Sequence, residues 1–220
     1  MSRATDGVLK WCDTELILLP QRAVWWPERQ TLFIADPHFG KAATFRAAAV
    51  PLPDGTAADL QRLDAIVRTT QARTLIVLGD LLHARQGRCP AVFESVRAWR
   101  QQQRHLSLQL VIGNHDRLAG QPPAEWEIEC VDEPRNCLPF QLRHYPDFTS
   151  HQPTLAGHLH PKIKLQTGSD RILTPCFLLR QQCLVLPAFG RFIDHQVIAR
   201  EPGDAYFVIA ENEICRVTYK

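Results

Sequence analysis

Thr31-Leu32-Phe33-Ile34-Ala35-Asp36-Pro37-His38, Thr74-Leu75-Ile76-Val77-Leu78-Gly79-Asp80 and Leu108-Gln109-Leu110-Val111-Ile112-Gly113-Asn114-His115-Asp116 follow one rule: a short apolar run, a break, then metal-ligand side chains. Apolar runs of this length, closed by glycine or proline, read as buried strands. Between them lie two helical patterns. One starts at Thr56 and carries Leu60, Leu63 and Val67 on one side; the other starts at Pro90, a favoured first-turn residue, with Val92, Val96 and Trp99. The alternation spells βαβαβ, hence a partly parallel sheet with helices packed on it, and ligands gather at the carboxyl ends of such strands.

Upstream, residues 16–19 and 23–26 read as strands, the second joined to 31–35 by a tight turn at 27–30, and 41–49 reads as a helix closed by Pro51-Leu52-Pro53. Downstream of about residue 130 the texture changes to short strands at 138–142, 154–156, 163–166, 176–179, 184–187, 206–210 and 214–218. That pattern predicts a second, largely antiparallel sheet stacked on the first. No linker or repeat interrupts the chain, so residues 1–220 are expected to form a single domain.

Composition sets limits on function. At 220 residues and 45% hydrophobic content the chain can fill one core. A net charge of +2 does not by itself call for nucleic acid, so any basic footprint must be local. Positive charge is mostly arginine, lysine being confined to Lys10, Lys41, Lys162, Lys164 and Lys220; the base composition of the gene explains this without any function. Seven cysteines, an odd number without a CxxC pair, point to reduced, mostly buried thiols, with a zinc site at Cys130 and Cys137 as the weaker alternative. The first ten residues hold no signal-peptide core and no stretch approaches the roughly 18 apolar residues of a membrane span, so a soluble, cytoplasmic protein is expected.

Chemistry is concentrated in four blocks: Asp36-Pro37-His38, Gly79-Asp80, Gly113-Asn114-His115-Asp116 and Gly157-His158-Leu159-His160. Each alone is a turn signal or an ordinary histidine. Together, at successive strand ends, they supply the carboxylate, imidazole and amide oxygen donors of a divalent-cation site. Their order is similar to that of the calcineurin-like metallophosphoesterases. The resemblance implies a four-layer α/β/β/α sandwich of two mixed sheets and two divalent cations, manganese first with iron or zinc as other options. It places Asp36, His38, Asp80 and His160 on the first ion, and Asp80, Asn114, His158 and one more histidine on the second. His144 keeps the strand period of Leu138, Phe140 and Leu142, whereas His151 sits in polar loop sequence, so His144 is favoured and His151 kept as the alternative. The resemblance further makes His115 the group that contacts the scissile phosphate and protonates the leaving oxygen. Asp116 beside it is expected to orient its ring. His83, Arg85 and Lys41 are expected to touch substrate, and His105 and His195 to be surface residues.

A finer likeness lies in 38–46 (His38-Phe39-Gly40-Lys41 onward), in Gly79-Asp80-Leu81-Leu82-His83-Ala84-Arg85 and in Leu186-Pro187-Ala188-Phe189-Gly190. These phrases resemble the bacterial ligase-associated DNA damage response endonucleases, the PdeM subgroup; Pro37 departs from the leucine more usual there. The resemblance implies a manganese-dependent phosphodiesterase or endonuclease in DNA repair. It would act on single-stranded or processed DNA ends beside a ligase and a helicase, off the membrane, as a monomer or homodimer. Local support for DNA is a basic set, Arg85 and Arg88 with a helical stripe of Arg97, Arg100 and Arg104, and base stacking on Trp25 or Trp26, although a solvated helix face and core tryptophans explain the same residues. Two other readings are carried: hydrolysis of a small nucleotide or lipid-precursor phosphoester, and a non-catalytic interaction module like the retromer subunit of this fold. The presence of His115 with a full ligand set argues against the second.

Overall fold

The computed structural model describes residues 7–50, 52–167, 170–191, 193 and 197–218. His195 lies outside the described residues. The first sheet runs β1 (Val8–Trp11), β2 (Thr14–Leu19), β3 (Ala23–Trp26), β4 (Thr31–Ile34), β5 (Thr74–Leu78), β6 (Ser107–Val111) and β7 (Ile128–Val131), in that spatial order. β1 to β4 pair antiparallel and β4 to β7 parallel. Parallel pairing follows from the helical crossovers: α1 (Lys41–Ala47) and α2 (Thr56–Thr70) before β5, and α3 (Pro90–Gln102) before β6. α4 (Asn114–Ala119) follows β6.

The strand period decides what faces what. On β5, Leu75 and Val77 join Leu60, Leu63 and Val67 of α2 and Val92, Val96 and Trp99 of α3, while Ile76 and Leu78 point the other way. That other face meets the second sheet, built from β8 (Arg135–Cys137), β9 (Phe140–Leu142), β10 (Thr154–Ala156), β11 (Lys162–Thr167), β12 (Asp170–Arg180), β13 (Cys183–Val185), β14 (Ala205–Ala210) and β15 (Glu213–Thr218). Its spatial order is β15-β14-β12-β13-β10-β9-β8, with β11 paired to β12. β10 runs parallel to both neighbours and every other pair is antiparallel. Phe177, Leu184 and Phe207 face inward against Phe33, Ile76 and Leu78, whereas Cys176, Val185, Tyr206 and Val208 face outward. Phe148, Leu159, Leu165 and Ile198 cover that outer face, with no helix there among the described residues.

Several expectations change. β1 and β7 are strands that short, mixed sequence concealed; both are sheet edges, where only one neighbour constrains the residues. The basic stripe is broken at its centre: Arg97 and Arg104 are exposed, but Arg100 between them is not. Arg100 is buried and donates to the carbonyls of Trp126, Gln103 and Leu106, at 2.8, 2.8 and 3.2 Å. Arg97 pairs with Glu94, and Arg88 donates to the carbonyls of Ala119, Gly120 and Gln121 after α4. Trp25 and Trp26 are both buried, which removes them as stacking surfaces. Cys130 packs on the helix side of the first sheet and Cys137 between the two sheets, and neither joins a group of metal donors among the described residues, against the zinc alternative. Among the described residues, no helix is long and apolar enough to cross a membrane.

Candidate metal centre

The four blocks meet beyond the carboxyl ends of β4, β5 and β6 and in the loop after β10. Asp36, His38, Asp80, His158 and His160 all have left-handed backbones, with φ of 52°, 48°, 53°, 68° and 47°. Such conformations are costly for residues with a Cβ and persist only where the surroundings hold them. Here a hydrogen-bond ladder does so. Asp36 N–H donates to Gly79 O at 3.2 Å, His38 N–H to Asp80 O at 2.9 Å and Phe39 N–H to Leu81 O at 2.8 Å, continuing the β4–β5 pairing past the strand ends. His158 N–H donates to Asp36 Oδ2 at 2.8 Å, tying the last block to the first. Glycine is required here: a Cβ on Gly79, itself at φ 88°, would overlap the His144 ring, and one on Gly113 would overlap the Asp80 carboxylate.

Three donor groups result: His38, His83 and His115 cluster without a carboxylate, and two groups contain one, Asp36 with His38 and His160, and Asp80 with His144 and His158, with ligand atoms within 4.8 Å of one another in each group. Asp80 Oδ2 lies between the two carboxylate-bearing groups, 3.8 Å from His38 Nε2 and 3.5 Å from His144 Nε2. His144 is fully buried, its Nε2 2.9 Å from Asn114 Oδ1 and 3.1 Å from His158 Nδ1, whereas His151 is exposed. His144 is therefore the histidine that joins the cluster. Asp36 Oδ1 is buried without a hydrogen-bond partner, 3.5 Å from His160 Nε2 and 3.7 Å from His144 Nδ1. An orphaned carboxylate oxygen facing imidazole nitrogens, and several ring nitrogens converging on few protons, fit a divalent cation better than a hydrogen-bonded core.

Electrostatics agree. Burial, reinforced by the Asp36 and Asp116 carboxylates, pushes the Asp80 carboxyl up to about 8. Burial and the neighbouring His160, His115 and His83 rings and Lys41 hold His38 well below the ordinary imidazole range, and burial with His144 lowers His158. Neutral imidazoles are the ligand form, and a cation relieves the carboxylate repulsion. The sign of the stability effect follows. A carboxyl raised in the folded chain keeps a proton that the unfolded chain has lost, so from about pH 4 to 8 stability falls as pH rises. The lowered imidazoles act oppositely, but only below about 6.5, where the unfolded chain protonates. From about pH 6.5 to 8 the carboxyl effect is unopposed. The melting temperature of the chain stripped of divalent ions is expected to fall across that window, and saturating Mn²⁺ to flatten it; a flat profile for the stripped chain would remove the raised Asp80 carboxyl.

Asn114, His115 and Asp116 form the first turn of α4 rather than a strand end, with Gly113 as the preceding cap. Asp116 does not orient the His115 ring. Its Oδ2 accepts from Asp80 N–H at 2.7 Å and Gly113 N–H at 3.0 Å, and Oδ1 from Leu82 N–H at 3.1 Å, so it staples the Asp80 loop to the helix. That role was legible, because acid at the third helical position is half of a capping box. The His115 ring is set instead by its Nδ1 against the His83 carbonyl, and its backbone N–H donates to Asp80 Oδ1 at 2.9 Å. His83 stacks on His115 at 4.9 Å and its Nδ1 lies 3.3 Å from His38 Nδ1. Lys41 is buried at the start of α1 near His38, and Arg85 is exposed in a short 3-10 turn two residues past His83. His105 is exposed, as expected. Sequence reading missed Glu133, whose Oε2 accepts from His144 and Tyr145 N–H at 2.7 and 3.0 Å and fixes that segment against the site.

No protein-family model and no curated protein matches the chain. Among solved structures, the Pseudomonas putida nuclease MPE superposes with a TM-score of 0.83 at 38% identity, over 94% of this chain and 98% of that one. YfcE, a phosphoesterase from E. coli, is a looser likeness, TM-score 0.44 at 14% identity over 85% and 97% of the two chains, and nothing rests on it. With that identity over nearly the whole of both chains, the α/β fold of two mixed sheets and the clustered His and Asp donors, the chain belongs to the calcineurin-like metallophosphoesterases, in the family of the P. putida nuclease.

Proposed function

We propose that this chain, as one domain, is a two-cation phosphodiesterase that cleaves DNA. The observation that carries the reading is Asp80 Oδ2, one carboxylate oxygen within 3.8 Å of a ligand nitrogen from each carboxylate-bearing donor group. Asp36, His38, Asp80 and His160 would hold one ion, and Asp80, Asn114, His144 and His158 the other; the mixed nitrogen and oxygen donors suit Mn²⁺, with iron and zinc as alternatives. When bound, such a pair supplies an activated water and neutralises charge developing on the phosphate. The chain's residues do the rest. His115, tethered through Nδ1 to the His83 carbonyl, has Nε2 left to give a proton to the leaving oxygen. Lys41, His83 and Arg85 would contact the phosphate oxygens.

DNA is favoured over a small diester by the nuclease relative and by two rings that flank the cluster. Tyr145, 43% exposed, lies 4.3 Å from His158, and Phe45 lies 6.2 Å from His83. Base stacking on an aromatic ring contributes about 1–3 kcal/mol. Tyr145→Ala should therefore raise KM for an oligonucleotide roughly tenfold and leave KM for a small aryl phosphodiester unchanged; equal effects on both would remove the stacking role. The free thiols suit the reducing cytoplasm, and work beside a ligase and a helicase in repair is the context we favour. The deciding experiment compares Mn²⁺-dependent cleavage of labelled single-stranded, duplex and 3′-overhang DNA with that of the aryl diester. Cleavage of the diester alone would overturn the DNA reading.

A further inference from the structure

The phrase Leu186-Pro187-Ala188-Phe189-Gly190 follows β13 and contributes no ligand, yet its backbone is bonded on both edges. On one edge Phe189 N–H donates to Ala35 O at 2.7 Å and Gly190 N–H to Asp36 O at 3.3 Å, and Ala188 pairs with Ala35 as a parallel bridge. On the other edge Arg22 Nη1 donates to the carbonyls of Ala188 and Gly190 at 3.3 and 3.2 Å, and Arg62 Nη2 donates to the carbonyl of Phe189. Arg62 also lies over the Phe189 ring at 4.2 Å and pairs with the buried Asp59 at 3.0 Å, while Asp59 Oδ2 accepts from Arg191 N–H at 3.0 Å. Residues 188–190 are all buried, so these bonds satisfy groups that water does not reach.

We propose that Arg22 and Arg62 are positioning residues for the Asp36 side of the metal centre, acting through residues 188–190 as a splint. Asp36 is held at φ 52°, a conformation that needs external support, and the splint bonds the carbonyl of that very residue. Half-buried, Arg22 and Arg62 each supply several fixed donors, so they clamp successive carbonyls where lysine offers only a point charge. The inference rests on the two-cation reading of the site.

The test is Mn²⁺ titration calorimetry on the metal-stripped full chain, with Arg62→Met, Arg22→Met and Arg62→Lys, and with Arg100→Met as control. Arg100 clamps three carbonyls at the far end of α3, so its loss destabilises the fold without reaching the splint. Expected are a fall of about tenfold or more in affinity for one of two ions in Arg62→Met and Arg22→Met, partial recovery in Arg62→Lys, and control affinity within about twofold. Should the methionine variants fail to fold, Gly190→Ala pushes the splint from the other side, since its Cβ would overlap the Pro37 carbonyl, and the same loss is expected. Unchanged Mn²⁺ affinity in the splint variants, or equal loss in the control, overturns the proposal while leaving the metal site standing. A parent chain that binds no Mn²⁺ overturns both.

Discussion

His115→Ala is expected to lower turnover on DNA by about 10²- to 10⁴-fold, the usual worth of a positioned general acid, with Mn²⁺ affinity close to that of the parent. The two effects separate because the ring and the backbone of this residue do different things. Its N–H holds Asp80 Oδ1 at 2.9 Å, and alanine keeps that bond; its ring reaches the His83 carbonyl and clusters with His38 and His83, in neither of the two carboxylate-bearing donor groups. Leaving-group chemistry sharpens the test. A DNA alkoxide needs a proton to depart, whereas a nitrophenolate does not, so His115→Ala should lose much less on an aryl diester than on DNA. Single-turnover rates on the two substrates, with calorimetry for Mn²⁺, check this. Equal losses would make the ring a binding group rather than an acid, and an unchanged rate on DNA would remove it from the mechanism.

Asp80→Asn should abolish activity, by about 10³-fold or more given that a shared ligand supports both ions, and should weaken both Mn²⁺ binding events together. It should also do something less expected: raise the stability of the metal-free chain between about pH 6.5 and 8. The asparagine oxygen can still accept from His115 N–H, but the substitution removes a buried carboxyl raised to about 8 by burial and by Asp36 and Asp116. The native chain thus carries a destabilising group where the cations need it, a trade of stability for function. Elemental analysis of Mn content and melting curves of the stripped protein across that pH window test both halves. Full Mn occupancy in the variant would end the bridging role, and a melting temperature no higher than that of the parent would end the stability argument.

The strands that carry the ligands were legible because their signal is local. An apolar run broken by Gly or Pro marks a strand end whatever lies elsewhere, and strand β5 coincides with the run read from sequence. The same period picked His144 over His151 for the cluster. Arg100 shows the limit. Its helical spacing matches a solvated stripe, and only the approach of Trp126 and Leu106 carbonyls turns it into a buried clamp. Asp116 likewise looked like a partner for the adjacent ring, yet its oxygens are taken by amides of Asp80 and Leu82, brought in by the β5–β6 pairing.

By itself, then, the sequence determined the ligand-bearing strands β4 to β6 with the helices between them, the candidate donors and the chemical class of the site, since these depend on periodicity and on residue type over a few positions. Tertiary structure decided which donors share Asp80, which arginines are buried and how the strained Asp36 and His158 backbones are held. Those outcomes rest on contacts between residues 122 and 168 positions apart, as in His158 to Asp36 and Arg22 to Gly190, where each partner's local sequence is silent about the other. Directional hydrogen bonds in a water-excluded core select the partner only once both sheets have closed around it.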